Sequence, residues 1–138
     1  MVFTFPACTN GQQNTVTEQN VSAKATQGGT VPVDKFAALM KEHPGTVLDV
    51  RSPGEWQQGI ISGATLMDRN GPDFKEQVAT LDKQKPVFVY CAAGGRSRSA
   101  MEIMRTMGFT EVYDLEGGMG AWQDAGREVA PVSSAAKR

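Results

Sequence analysis

A cysteine followed by small residues and an arginine is the part of this sequence best suited to chemistry. The segment CAAGGRS, residues 91–97, follows a short β-branched and aromatic run, Val87–Tyr90, which is typical of a central strand. The helical pattern resumes at Ser97, so Cys91 is predicted to lie where a strand gives way to a helix. A helix N-terminus offers unpaired N–H groups and about half a positive charge, and both stabilise a thiolate.

The residues after Cys91 indicate how such a thiolate would be held. The four residues at 92–95 carry almost no side chain, so the backbone can curl with its N–H groups facing one point. Such a loop, the helix end and a guanidinium together lower a thiol pKa from ~8.5 toward 7 or below. The alternative is an inert core thiol, since free cysteine is often buried. We predict that Cys91 is the nucleophile and that the substrate contacts Ala92, Ala93, Gly94, Gly95, Arg96 and Ser97.

The only histidine, His43, stands beside the helix stop signal Pro44-Gly45 and is assigned no role. A Cys/His pair of the protease kind is excluded unless the fold brings His43 close to Cys91. A single histidine also argues against a His-rich metal site. We therefore predict no metal and no cofactor, with the cysteine activated electrostatically.

The composition limits the other function classes. A chain of 138 residues with 40% hydrophobic content supports one domain with one core. A formal charge of −1 and a pI near 5.8 give no reason to expect a nucleic-acid partner. No run approaches the ~20 apolar residues that span a bilayer. We expect a monomer that acts on small molecules.

The first 30 residues have a different character from the rest. An apolar opening leads through Cys8 into a stretch of Asn, Gln, Thr, Ser and Gly that cannot bury enough surface to order itself. This opening resembles the end of a bacterial lipoprotein signal with its tether, and the alternative is an ordinary leader with an incidental cysteine. The first reading implies a periplasmic or lipid-anchored protein, and the second a cytoplasmic one. A disulfide between Cys8 and Cys91 is not expected.

Strands and helices are predicted to alternate along the remaining chain. This alternation indicates an α/β fold with a mostly parallel sheet of about five strands and helices on both faces. We expect a flexible leader over 1–30, a domain over 31–130 and a disordered tail over 131–138. The predicted strands are 46–51, 64–67, 87–90 and 111–114, and the predicted helices are 33–43, 53–59, 74–81, 97–107 and 119–125.

Three blocks of sequence resemble the single-domain rhodaneses, or thiosulfate sulfurtransferases, from about Val31 to Val129. One is the CAAGGRS loop, and another is Leu115-Glu116-Gly117-Gly118-Met119 with Trp122. The remaining block is Asp49-Val50-Arg51 with Glu55-Trp56, Gly59 and Gly63-Ala64. Ile60 departs from the pattern, because the family commonly has a histidine there.

The resemblance implies a persulfide cycle on Cys91, with an anionic sulfur donor such as thiosulfate and cyanide or a thiol as acceptor. Arg96 would attract the donor, and a role for Arg98 stays open. Arg51 and Glu55 are interpreted as a structural pair, and Trp56 and Trp122 as core residues. Two alternatives remain, a non-catalytic rhodanese module and a cysteine phosphatase or arsenate reductase. The latter enzymes place five residues between cysteine and arginine, whereas four separate Cys91 from Arg96 here.

Overall fold

A computed structural model describes residues 27–136, which form a five-stranded sheet with helices on both faces. The order of strands across the sheet is β1-β5-β4-β2-β3, and every neighbouring pair is parallel. The strands are β1 (Gln27–Val31), β2 (Thr46–Asp49), β3 (Thr65–Leu66), β4 (Val87–Tyr90) and β5 (Glu111–Leu115). The predicted α/β class with a parallel sheet of about five strands is confirmed.

The helices pack in two layers, one against each face of the sheet. They are α1 (Val33–Glu42), α2 (Pro53–Trp56), α3 (Phe74–Val78), α4 (Gly95–Thr106) and α5 (Gly118–Asp124), followed by a 3₁₀ turn at Val132–Ser134. Buried residues of α3 and α4 belong to one apolar cluster, and buried residues of α1 and α5 belong to the other. The central strand lies between these clusters.

Strand β4 shows why the sequence forms a buried strand here. Val87 and Val89 belong to the cluster under α3 and α4, whereas Phe88 and Tyr90 belong to the cluster under α1 and α5. All four side chains are fully buried, because alternate residues of a strand point to opposite faces and both faces are covered. The strand ends at Tyr90, which leaves Cys91 at the carboxyl edge of the sheet.

Strand β1 differs from the prediction, which places residues 27–30 in the leader. These residues, Gln-Gly-Gly-Thr, contain no apolar run, but their backbone pairs with β5 at the edge of the sheet. A Cβ atom at Gly28 would overlap the carbonyl group of Val112, so the close approach of the two strands requires glycine. The rest of the leader, with Cys8, lies outside the described residues.

The segment after Pro131 also differs from the predicted disordered tail. Its 3₁₀ turn contacts the domain through backbone hydrogen bonds, from Gly63 N to Ser134 O and from Ala136 N to Ala64 O. Just before it, Ala130 exchanges two backbone hydrogen bonds with Ile60 at 2.7 and 2.8 Å. Ile60 is fully buried in the cluster under α1 and α5, so its departure from the family pattern adds apolar core.

The start of α2 matches the predicted capping box. Ser52 is the N-cap, Pro53 follows it, and the N–H of Ser52 donates to Glu55 Oε1 at 3.1 Å. Other elements differ from the prediction mainly at their ends, and α4 begins at Gly95 instead of Ser97. Within residues 27–136, no helix is both long and apolar enough to cross a membrane.

Candidate active site

Cys91 lies buried at the carboxyl end of β4, and its sulfur faces the backbone N–H groups of the following loop. The N–H of Gly94 donates to Sγ at 3.1 Å and that of Ser97 at 3.3 Å. Burial alone raises the thiol pKa, but the hydrogen bonds from Ser97, Gly94 and Ala93 outweigh burial and leave the pKa of Cys91 below its usual range. The loop therefore favours a thiolate.

Gly94 allows the loop to turn into the helix. Its φ of +114° is a conformation that residues with a side chain rarely adopt, and the residue is the N-cap of α4. The turn brings the N–H groups of Gly94 and Ser97 to the same sulfur. The first turn of α4 thus directs backbone donors at Sγ, where they stabilise negative charge.

The hydroxyl group of Ser97 connects the sulfur to a buried carboxylate. Cys91 Sγ lies 3.5 Å from Ser97 Oγ, and Ser97 Oγ donates a hydrogen bond to Asp114 Oδ1. The second carboxylate oxygen accepts a hydrogen bond from Thr30 Oγ1 at 2.9 Å. Burial raises the pKa of Asp114 above its usual range, although Ser97, Thr30 and the charge of Arg98 oppose that shift.

The turn at Gly117–Gly118 holds the loop from the other side. The N–H of Met119 donates to the carbonyl of Cys91 at 2.8 Å, and the N–H of Gly120 donates to that of Ala92 at 3.1 Å. A Cβ atom at Gly118 would overlap the Cys91 carbonyl and lie 2.6 Å from the Ala92 carbonyl carbon. These two hydrogen bonds fix the backbone of the loop against the start of α5.

Arg96 pairs with Glu55 instead of pointing freely to solvent. Its two terminal nitrogens donate to the two carboxylate oxygens at 2.8 and 3.0 Å. This bidentate contact lowers the pKa of Glu55 to about 2 and raises that of Arg96. The charge of Cys91 also raises the pKa of Arg96, so the guanidinium lies within electrostatic reach of the sulfur.

The predicted pair between Arg51 and Glu55 is wrong. Arg51 instead contacts Asp49, with 2.7 Å from Nη2 to Oδ2, and its Nη2 also donates to the carbonyl of Gly59. Both members of this pair are buried, and they link the end of β2 to the residue before Ile60. Glu55 is therefore available to Arg96, and the capping box on α2 fixes its position.

Arg98 and the remaining small residues complete the rim. The Arg98 side chain is 63% exposed, and its Nε lies 4.0 Å from Asp114 Oδ2. Ala93 and Gly95 are exposed, whereas Ala92 is half-buried. Ala92 borders a cavity of about 280 Å³ between α2 and α5, which is also lined by Glu55, Gln58, Met119 and Gln123.

His43, to which the sequence analysis assigns no role, lies away from this loop. His43 is exposed after α1, at the edge where β2 begins, and Cys91 follows β4 at the opposite edge of the parallel sheet. Cys91 is a free thiol. Among the described residues, no group of three or more His, Cys, Asp or Glu side chains could hold a metal ion.

Neither Asp114 nor the contact of Glu55 with Arg96 is among the features predicted from the sequence. Asp114 is a charged residue inside an apolar strand pattern, which is a signal for a buried polar role. Its place beside the loop follows from the pairing of β4 with β5, which the chain order does not specify. The carboxylate of Glu55 lies 41 positions before Arg96, so only the fold brings them together.

The fold and site define a class of protein, a parallel α/β domain with a buried cysteine cradled between a central strand and a helix. Residues 32–125 match the family described as the Rhodanese-like domain. The chain belongs to this family. The predicted family resemblance is therefore confirmed.

Individual relatives carry different names. The chain is 35% identical over 88 residues to a thiosulfate sulfurtransferase GlpE of Stutzerimonas stutzeri, covering 63% of this chain and 78% of the relative. It is 34% identical over 106 residues to a tRNA uridine(34) hydroxylase of Chlamydia caviae, covering 72% of this chain but only 32% of the relative. The crystal structure of a rhodanese-related protein from Thermoplasma volcanium matches with a TM-score of 0.66 and 30% identity, covering 73% of this chain and 96% of that one.

Proposed function

We propose that the protein is a sulfurtransferase that carries sulfane sulfur as a persulfide on Cys91. The observation that carries this proposal is the pair of backbone N–H groups, from Gly94 and Ser97, directed at the Cys91 sulfur. Those donors stabilise negative charge on Sγ before the reaction. In the proposed persulfide, the same donors would bond Cys91 Sγ, next to the anionic outer sulfur.

The reaction proceeds in two balanced displacements. The Cys91 thiolate attacks the outer sulfur of a donor such as thiosulfate, an S–S bond forms, and sulfite leaves with the electron pair of the bond that breaks. Cyanide or a thiolate then attacks the outer sulfur of the persulfide. Thiocyanate or a new persulfide leaves, and the Cys91 thiolate is regenerated. The cycle needs no metal ion or cofactor.

The electrostatics around the loop support an anionic donor. Arg96 lies within electrostatic reach of the sulfur, and exposed Arg98 adds a second positive charge to the same turn of α4. A cavity of about 280 Å³ lies beside the loop, which contributes Ala92 to its lining. We assign donor binding to the loop 92–97, with Arg96 supplying attraction that Glu55 partly offsets.

Turnover with thiosulfate and cyanide tests this function. The purified chain is expected to form thiocyanate, whereas Cys91→Ser is expected to lose at least about a thousandfold of that rate because it removes the nucleophile. Cys8→Ser provides a matched control that removes the other cysteine and retains turnover. Hydrolysis of a phosphate monoester without thiocyanate formation would instead favour the phosphatase class.

A further inference from the structure

Asp114 is a buried carboxylate that the persulfide cycle does not use. Its side chain is fully buried, and it stands on β5, the strand beside β4, at the edge of the sheet where the cysteine loop begins. Burying a carboxylate in place of an apolar residue is costly unless its oxygens are bonded. One of the groups that bond the carboxylate oxygens, the hydroxyl of Ser97, also contacts the sulfur of Cys91.

The hydrogen bonds form a continuous chain from sulfur to carboxylate. Cys91 Sγ contacts Ser97 Oγ at 3.5 Å, and Ser97 Oγ contacts Asp114 Oδ1. A serine hydroxyl has one proton to donate and can accept as well. Ser97 can therefore accept from the thiol while donating to the carboxylate, or accept from a protonated carboxyl group while donating to a thiolate.

We propose that Cys91 and Asp114 share one proton through the hydroxyl group of Ser97, so that Asp114 is a positioning residue that takes up the proton when the thiolate forms. In the transfer, the S–H bond breaks and an O–H bond forms on Ser97. The original hydroxyl proton of Ser97 moves to Asp114 Oδ1. The negative charge moves from carboxylate to sulfur, and no atom is oxidised or reduced.

The surroundings of both groups favour this sharing. Burial raises the pKa of Asp114 from an ordinary ~3.9, and the loop lowers that of Cys91 from ~8.5, so their proton affinities approach each other. Among the described residues, the charged group facing Asp114 is Arg98, the neutral groups that bond it are Ser97 and Thr30, and Cys91 is connected to it through Ser97. Arg98 is largely exposed and 4.0 Å away, so it offsets the carboxylate charge only in part.

A shared proton gives the pair a distinct titration. The first proton to leave comes from the pair, and part of the population then holds thiolate with protonated Asp114. The second leaves only at higher pH, because two adjacent anions repel each other and Ser97 can donate to only one. The thiolate is therefore expected to appear in two steps with a plateau between them.

The pH dependence of Cys91 alkylation by iodoacetamide tests the proposal in the chain of 138 residues. Rates are followed by mass spectrometry of the Cys91 peptide, which separates this thiol from Cys8. The alkylation rate of the wild type is expected to rise with pH in two steps, and that of Asp114→Asn in one step. At neutral pH the asparagine variant is expected to react at least as fast, since a neutral amide does not repel the thiolate. This readout needs no sulfur donor, so it can fail independently of the proposed function.

Two further variants separate proton sharing from a purely structural role. Ser97→Ala interrupts the chain and is expected to lower the rate on the acid-side plateau about tenfold, because the thiolate loses a charge-assisted hydrogen bond. Thr30→Val removes a bond to Asp114 that lies outside the chain, and it is expected to keep both steps. A single step in the wild type, or two steps in Asp114→Asn, would overturn the proposal.

Discussion

The two sides of the cysteine loop hold polar pairs that differ in burial. On the inner side, Ser97 and Asp114 are fully buried; Ser97 contacts the sulfur, and Asp114 contacts Ser97. On the outer side, the side chains of Arg96 and Glu55 are 28% and 31% exposed and contact each other. Water screens the outer pair, so it changes the charge around the sulfur only modestly, whereas the inner pair is the one that we propose shares a proton with the sulfur.

The loop backbone joins these two sides, and it depends on Gly118. Gly118→Ala is expected to destabilise the protein by about 2–5 kcal/mol and to reduce turnover strongly, because its φ of +58° is strained for alanine and a Cβ lies 2.6 Å from the backbone of Ala92. Urea unfolding measures the loss. Gly126→Ala is the matched control, since φ there is +76° with nothing within 4 Å of the added Cβ. Equal losses in both variants would contradict this role of the turn.

Substitutions of Arg96 and of Glu55 are expected to change the use of thiosulfate in opposite directions. Arg96→Ala should lower kcat/KM for thiosulfate about tenfold, which corresponds to about 1.4 kcal/mol, because the dianion loses an attracting charge. Glu55→Gln keeps the capping hydrogen bond to Ser52 but removes the opposing charge, so KM should fall about twofold. Steady-state kinetics at low salt measures both. If both variants raise KM, the outer pair acts only by bracing the loop.

The smallest expected effect is the change with pH in the stability that the pair of Arg96 and Glu55 contributes. The pKa of Glu55 is lowered from 4.5 to about 2, chiefly by the hydrogen bond from Arg96. A lowered carboxyl pKa contributes stability that is complete above pH ~4.5 and is lost as the pH falls toward 2. The stability difference between wild type and Glu55→Gln should therefore be constant from about pH 7 to 5 and shrink below that.

Chemical denaturation over this pH range measures the difference. We expect it to stay below about 1 kcal/mol, because the pair is partly exposed to water. Arg105→Gln removes another arginine–glutamate contact, with Glu102, and controls for the general effect of surface charge. A difference that does not change between pH 5 and 2 would mean that Glu55 and Arg96 do not pair in solution.

The sequence predicts the centre of this fold better than its edges. Val87–Tyr90 is recognisable because a strand covered on both faces needs continuous β-branched and aromatic residues. Strand β1 carries Gln, Gly and Thr at an edge and is held by backbone pairing, so its side chains give no comparable pattern. The sequence pattern therefore predicts elements whose side chains are buried in the core, and it does not predict a strand that is held by backbone pairing alone.

The same distinction applies to the site. The loop 91–97 is contiguous, so its small residues and its arginine can be read together in the sequence. The carboxylates of Glu55 and Asp114 come from α2 and β5, and their contacts with Arg96 and Ser97 depend on the order of strands in the sheet. The prediction that Arg51 pairs with Glu55 is wrong for this reason, because nearness in the sequence did not decide the partner.

The mass of the Cys91 peptide after treatment with thiosulfate shows whether this residue carries sulfur. We expect a gain of ~32 Da, the mass of one sulfur atom, on the thiolate of Cys91. Cyanide should remove the gain and release an equal amount of thiocyanate, and Cys8→Ser should behave as the wild type does. No gain on Cys91, or the same gain in Cys91→Ser, would contradict the proposal that this residue carries sulfur.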